Sequence, residues 1–347
     1  MSTVMLLGAG ASRASEYELP VMNEFFVGRD LQDRKYSDLL GFIQSRFGAG
    51  CVYGKLNLEE VITHLHLGGN ESLPGGTSDP PRMQLARKEL DEYMVLRFAM
   101  DPSKKRIPAE GSAEGVCSYH KKLFKSLREE DSVLTLNYDL VADYALQDVG
   151  GRFWSVRAQD TRLTRTTCFV GQIYARNLQE PCLSSFETTG KGYYLKLHGS
   201  IDWFCCPALE YPNHTYFYEA SPQTGVPEER FCKLCGRNLV RALIPPTLGK
   251  TAEEFPKIKA IWSLAYRKLR EASKWIVIGV SLTPSDYFFR AMLREARATK
   301  EGLDLDVANP CAEHRKNVIE VIQPTNVRES GGLREYVDGQ FIGSEHS

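Results

Sequence analysis

Several short polar runs in this 347-residue chain carry side chains able to do chemistry. Leu136-Asn137-Tyr138-Asp139 holds an amide and a carboxylate two positions apart, and Lys196-Leu197-His198-Gly199-Ser200 holds a histidine. A neutral amide such as Asn137 can orient a water or a hydroxyl. A histidine with an ordinary pKa of about 6.5 can take a proton from that group at neutral pH. Gly8-Ala9-Gly10-Ala11-Ser12 follows an apolar run at once. Its two glycines let the backbone turn tightly and approach a pyrophosphate, while a following helix N-terminus supplies N–H donors. Each run also has a plain structural reading. The glycine loop can be a turn without ligand. Asn137 and Asp139 can form an Asx-turn and a helix N-cap, His198 can end a strand, and Asn309-Pro310 can be an ordinary turn.

A second kind of chemistry is suggested by Cys232-Lys233-Leu234-Cys235-Gly236, the spacing of a zinc knuckle. Cys205-Cys206 lies upstream and could complete four thiolates, although neighbouring side chains diverge; one of them with His214 is an alternative pair. Structural zinc and buried free thiols both remain open. Cys51, Cys117, Cys168, Cys182 and Cys311 are scattered and read as core residues.

These residues need elements to hold them. Val4–Leu7, Asp131–Leu136, Tyr193–Leu197, Trp275–Gly279 and Leu303–Val307 read as short apolar strands, and Val318–Ile322 as a last one. Asn23–Phe47, Leu58–Leu67, Met83–Met100, Val116–Glu129, Leu140–Gln147, 253–273 and Pro284–Thr299 read as helical. Residues 68–82 and 101–115 read as loops, and 150–192 as irregular β structure. Trp262 and Trp275 read as core. Strands alternating with helices predict an α/β fold with a mostly parallel, Rossmann-like sheet. Gly8–Ser12, Asn137–Asp139, Gly279–Ser281 and Asn309 all follow carboxyl ends of strands, the edge where such sheets bind ligands. A single domain over 1–347 is expected, with a helical insertion at 40–130 and a cysteine-rich one at 204–242.

The bulk numbers exclude some partners. With 43 basic and 44 acidic residues, no global field draws in nucleic acid or a membrane surface. No apolar run is long enough to span a bilayer. The leading apolar run is too short for a signal peptide, so a cytoplasmic location is expected.

Taken in order, the motifs resemble those of the sirtuin superfamily. Gly8-Ala9-Gly10-Ala11-Ser12 looks like its first phosphate loop and Leu136-Asn137-Tyr138-Asp139 like its Gln-Asn-x-Asp segment. The run around His198 looks like the segment of the catalytic histidine, and Gly279-Val280-Ser281 with Asn309 like the later NAD loops. Asn-Tyr-Asp, the Leu-His-Gly-Ser run ending at Trp203 and Asn57-Leu58-Glu59-Glu60-Val61 are similar to a bacterial sirtuin-like branch. That branch is associated with NAD hydrolysis in antiviral defence against phage. Leu136 in place of Gln, Val21-Met22-Asn23 after Leu19-Pro20, and Arg241-Ala242-Leu243-Ile244-Pro245-Pro246 in place of the peptide-pairing stretch depart from deacylating members.

The resemblance implies a site that cleaves the nicotinamide–ribose bond of NAD. Asn137 and His198 would be the catalytic pair. Gly8, Ala9, Gly10, Ala11, Ser12, Asp139, Gly279, Ser281 and Asn309 would bind NAD, with Ser12 and Ser281 donating to phosphate, Asn309 to a ribose and Asp139 accepting from the carboxamide. Cys205, Cys206, Cys232 and Cys235 would hold structural Zn2+. The implied activity is an NAD hydrolase held in check by a partner, a ligand or homo-oligomerisation. An NAD-dependent deacylase and a non-catalytic nucleotide sensor are the alternatives.

Overall fold

A computed structural model describes residues 2–68, 80–98, 116–128, 130–149, 193–206, 218–219, 231–232, 235–243, 256–283 and 286–342. The strands in chain order are β1 (Thr3–Leu7), β2 (Ser132–Thr135), β3 (Tyr194–Lys196), β4 (Gly199–Cys205), β5 (Tyr218–Glu219), β6 (Val240–Leu243), β7 (Lys274–Ile278), β8 (Asp304–Ala308) and β9 (Asn326–Ser330). The α-helices are α1 (Ala9–Arg13), α2 (Gly28–Leu31), α3 (Ser37–Phe47), α4 (Leu58–Gly68), α5 (Pro80–Phe98), α6 (Ser118–Lys125), α7 (Val141–Val149), α8 (Pro256–Glu271), α9 (Tyr287–Ala298), α10 (Ala312–Ile322) and α11 (Leu333–Val337).

Six strands form one sheet in the order β3-β2-β1-β7-β8-β9, and every neighbouring pair is parallel. The wholly apolar β1 shows why. Val4 and Leu6 enter one core with Leu264 and Leu269 of α8, Leu293 of α9 and Val318 of α10. Met5 and Leu7 point the other way, into a core with Ala11 of α1, Phe124 of α6, Ala145 of α7 and Leu333 of α11. A strand covered on both faces has no solvent side and needs no polar alternation. Relabelled by chain order within this sheet, the strands run third, second, first, fourth, fifth, sixth. That is the doubly wound order of dinucleotide-binding folds, with a crevice where the connections diverge between β1 and β7.

A third core is helical. It joins Leu31, Leu39, Ile43, Leu58, Val61, Leu90, Tyr93 and Phe98 of α2–α5 with Tyr138 and Ile201 from the β side. α6 does not join it but packs on the main sheet. A small antiparallel sheet of order β5-β4-β6 carries the cysteine segment.

Several expectations are corrected. Val318–Ile322 is not a strand but the last turn and a half of α10, whose Val318, Val321 and Ile322 bury at helical spacing. The last strand is Asn326–Ser330. The continuous helix over Asn23–Phe47 is broken into 3-10 turns, α2 and α3. Val27 is extended ahead of α2, and the Asp33 carboxylate accepts from the Lys35 N–H, so local capping competes with helix propagation. α5 starts at Pro80, inside the expected 68–82 loop, because proline is tolerated in a first helical turn. β4 was not foreseen; it pairs with β6 right after His198. Residues 150–192 lie outside the described residues. Among the described residues no helix is long and apolar enough to cross a membrane.

Candidate functional site

A cavity of about 610 Å³ opens at the carboxyl ends of β1, β2, β7 and β8. Its size is in the range of ligand pockets, about 300–1,000 Å³. Gly8, Ala9 and Gly10 line it from β1, Asn137 from β2, Gly279 and Ser281 from β7, and Asn309 from β8; His198 lines it from the β3–β4 turn.

The glycines are there for close approach. The Gly8 N–H donates to the Ile278 carbonyl and the Gly10 N–H to the Gly279 carbonyl, each at 3.0 Å. A Cβ on Gly8 would meet the Gly279 carbonyl oxygen at 2.5 Å. A Cβ on Gly279 would meet the Ala11 nitrogen at 2.1 Å, and its φ of +66° is one L side chains rarely adopt. The two loops therefore interlock at the switch point. The Gly10 N–H is spent on this lock. Gly10 nevertheless lines the cavity.

Ala11 and Ser12 are buried behind the loop and are not among its lining residues. Ser12 has a different task from the expected phosphate contact. The Asn137 amide donates one hydrogen to Ser12 Oγ at 2.9 Å and the other to the Gly8 carbonyl at 2.9 Å. A carbonyl can only accept, so the Asn137 nitrogen must face Gly8. The amide oxygen is then what Asn137 offers to the cavity.

Asp139 is also redirected. Its carboxylate accepts from the Val141 N–H at 3.0 Å, capping α7, and from Ser12. It does not line the cavity, so the expected carboxamide contact is replaced by support of Asn137. Burial raises its pKa, opposed by the nearby charge of Lys196. The buried Lys196 ammonium donates to the Asp139 carbonyl at 2.6 Å and to Asp143 at 2.8 Å, and Tyr194 donates to the same Asp143 oxygen. Asn137, Ser12, Asp139, Lys196 and Asp143 thus form one chain of hydrogen bonds beneath the cavity floor.

His198 sits where the main sheet hands over to the small sheet. The next residue, Gly199, has φ +84°, which lets the chain leave β3 and start β4 at once. The imidazole lies between Tyr138 and Trp262, with ring centroids 6.0 and 6.2 Å away. Burial lowers its pKa to about 4, only partly opposed by a hydrogen bond to the Leu136 backbone. It is therefore neutral at pH 7. With one ring nitrogen donating to that backbone carbonyl, the other carries the lone pair that can accept a proton.

Asn309 lines the cavity as the centre of a turn. Its amide oxygen accepts from the Cys311 N–H at 3.0 Å and its nitrogen donates to the Val280 carbonyl at 3.1 Å. The turn reading and the cavity position hold together. Ser281 lines the cavity half-buried beside it.

Sequence reasoning missed other lining residues. Arg13, Asp286, His314, Arg334 and the Gly331-Gly332 pair belong to the wall. Asn23, Asn57 and Glu59, which stand in the motifs without a site role, line it too. Trp262 and Trp275 read as core; Trp275 is buried within it, and Trp262 packs half-buried against it. Trp262 stacks on His198 and donates its Nε1–H to the Leu197 carbonyl at 2.7 Å. A tryptophan on an amphipathic helix gives no sequence signal that separates these two tasks.

The cysteines gather as the knuckle spacing implied. The Cys206, Cys232 and Cys235 sulfurs lie within 4.8 Å of one another, with Cys206 and Cys235 at 3.5 Å. The Gly236 N–H donates to the Cys232 carbonyl and Gly236 has φ +71°, closing the turn. At zinc–sulfur bonds of about 2.3 Å, thiolates of one tetrahedral site stand roughly 3.8 Å apart, so the set fits zinc. The Cys205 side chain and His214 lie outside the described residues.

No family model matches this sequence, and no curated protein matches it. Among solved structures, the chain is similar to one described as the structural basis for the mechanism and regulation of Sir2 enzymes, at 15% identity and a TM-score of 0.42, over 97% of this chain and 89% of that one.

Proposed function

We propose that this protein cleaves NAD at the nicotinamide–ribose bond and passes the ribose to water. One observation carries the reading: Asn137, whose amide nitrogen is bonded to Gly8 and Ser12, and the buried His198 line the same cavity at the switch point of a doubly wound sheet. The C1′–N bond breaks with its electron pair going to the nicotinamide ring nitrogen. A water oxygen then bonds C1′, and the water proton passes through His198 to solvent. The products are nicotinamide, ADP-ribose and one proton. Asn137 would orient the water or a ribose hydroxyl. Gly8, Ala9 and Gly10 with Gly279 and Ser281 would flank the diphosphate, and Asn309 the second ribose. Ser12 and Asp139 act through Asn137. The Cys206, Cys232 and Cys235 thiolates would hold a structural zinc that staples the small sheet.

The motif likeness to the phage-defence branch adds that a partner, a ligand or homo-oligomerisation holds turnover of the isolated chain at a low basal rate, since unrestrained NAD loss harms the cell that makes the enzyme. The test is nicotinamide release from NAD by the purified full chain, with and without an acetyl-lysine peptide. Release without peptide is expected, and Asn137→Ala or His198→Ala should lower it at least about a hundredfold. Release only with peptide, giving an O-acetylated ADP-ribose, would replace hydrolysis by deacylation. Full activity in either variant would remove the assigned pair.

A further inference from the structure

The cavity spans the sheet edge from β2 to β9. Asn137 follows β2 and Asn309 follows β8, three strands away, which is roughly 14 Å at the ordinary spacing of neighbouring strands. The far wall is made by Asn309-Pro310-Cys311, by His314 of α10 and by the Gly331–Glu335 run that links β9 to α11. A dinucleotide cleaved beside Asn137 puts its adenosine at this end.

Glu335 is placed there by the two glycines. α11 starts directly behind them, and Glu335 is the acid of its first turn. Its side chain folds back over the loop: a Cβ on Gly331 would stand 3.5 Å from Glu335 Cδ, and a Cβ on Gly332 would stand 3.2 Å from Glu335 Oε2. That same Cβ on Gly332 would lie 3.6 Å from Pro310 Cδ. The carboxylate and the Asn309-Pro310 turn therefore meet across one glycine, and both line the cavity. Among the described residues this carboxylate has no hydrogen-bond or ion-pair partner. The arginines of this end are engaged with other groups. Arg315 pairs with Glu329 at 2.8 Å and donates to the Asn309 carbonyl at 2.6 Å. Arg334 donates to the Ala14 carbonyl at 3.0 Å and lies over the Tyr119 ring, and Arg13 pairs with Glu24 at 3.2 Å. An acid in a first helical turn is also favoured by the helix dipole, a role that needs no ligand.

We propose that Glu335 reads the adenosine ribose, accepting a hydrogen bond from its 2′-hydroxyl, and so selects a dinucleotide that carries no 2′-phosphate. The inference rests on the NAD reading above, with Asn309 at the second ribose, and names which dinucleotide the site takes. An ionised carboxylate only accepts, so it pairs with the hydroxyls of a ribose. A 2′-phosphate removes that hydrogen and brings up to two further negative charges to the same place. Like charge then rejects it, so that repulsion adds to attraction in setting the preference.

The test measures binding of NAD+, NADP+, ADP-ribose and ADP-ribose 2′-phosphate to full-length protein carrying Asn137→Ala, so that NAD+ survives the measurement. NAD+ should bind about tenfold or more tighter than NADP+. The ADP-ribose pair should show the same preference, since it lacks only the nicotinamide. Adding Glu335→Gln should cut both ratios to about threefold or less, and Glu335→Lys should reverse them. His314→Gln, on the same wall, should leave the ratios as they are. Ratios that survive Glu335→Gln, or that collapse with His314→Gln instead, overturn the role of Glu335 and leave the site standing. An equal loss of phosphorylated and unphosphorylated ligands in both Glu335 variants shows the helix-dipole role alone and overturns the inference. A starting protein that binds NAD+ and NADP+ equally overturns it too. Absence of binding by all four ligands overturns the dinucleotide reading and this inference with it.

Discussion

At the scale of single residues, the environment decides what the sequence letters can do. A histidine in solution titrates near pH 6.5, but His198 between Tyr138 and Trp262 is pushed to about 4. A base with that pKa is ready over the whole physiological range, though it holds its proton weakly. The kcat/KM profile of the free enzyme reports the pKa of its essential base. We therefore expect nicotinamide release to stay level from pH 8 down through 6 and to bend near pH 4, in brief assays after a pH jump. A bend near about 6.5 would mean that the base is solvated or is another group. The identity of Asn137 and His198 as candidates was legible from residue type and position after strands. The exclusion of Ser12 and Asp139 from the cavity was not. Both look like ligand-binding residues in a string of letters, and only the direction of the Asn137 amide shows that they serve it.

At the scale of elements, the polar chain under the cavity is a joint between β2, β3 and α7. Lys196 on β3 is paired with Asp143 on α7 at 2.8 Å, and both side chains are buried. Such a pair adds little over a well-packed apolar substitute, but breaking it leaves one buried charge alone. Lys196→Met should lower unfolding free energy by about 3–5 kcal/mol, whereas the double change with Asp143→Leu should recover much of the loss. Urea unfolding of the variants at pH 7 measures this, and equal losses in the single and double variants would refute the coupling. Element types were legible where one period dominated, as in β1, α7 and α8. They failed where two signals competed. Val318-Ile319-Glu320-Val321-Ile322 is β-branched at every position but Glu320 and looks like a strand, yet its buried positions follow helical spacing and the Gln323 backbone at φ +51° closes the helix. Local propensity lost there to packing against the sheet.

At the scale of the whole molecule, the sheet order follows from apolar strands that carry polar loops at one end, and that much could be read in advance. How the helical core grips the site could not. Tyr138 joins that core through Phe98, at 6.1 Å between rings, while its neighbours Asn137 and Asp139 serve the cavity and the hydrogen-bond chain. Folding is exposed to acid through the buried histidines His120 and His198. His120 of α6 is fully enclosed, with Nδ1 3.2 Å from the Cys117 sulfur, and burial lowers its pKa to about 4. The unfolded chain takes up this proton near pH 6.5, whereas the folded chain refuses it until about pH 4. The unfolded state thus binds more protons in that window, so the contribution of His120 is fully present above pH 6.5 and is lost as pH falls to 4. His198 acts with the same sign, while the raised carboxyl groups of Asp139 and Asp286 act with the opposite one. The total curve is a sum, but a difference isolates the residue. Comparing wild type with His120→Phe in urea, the variant should gain about 2–3 kcal/mol relative to wild type between pH 7 and pH 4.5. A difference that does not change with pH would mean that the His120 ring is already protonated, or reached by water, in the folded protein.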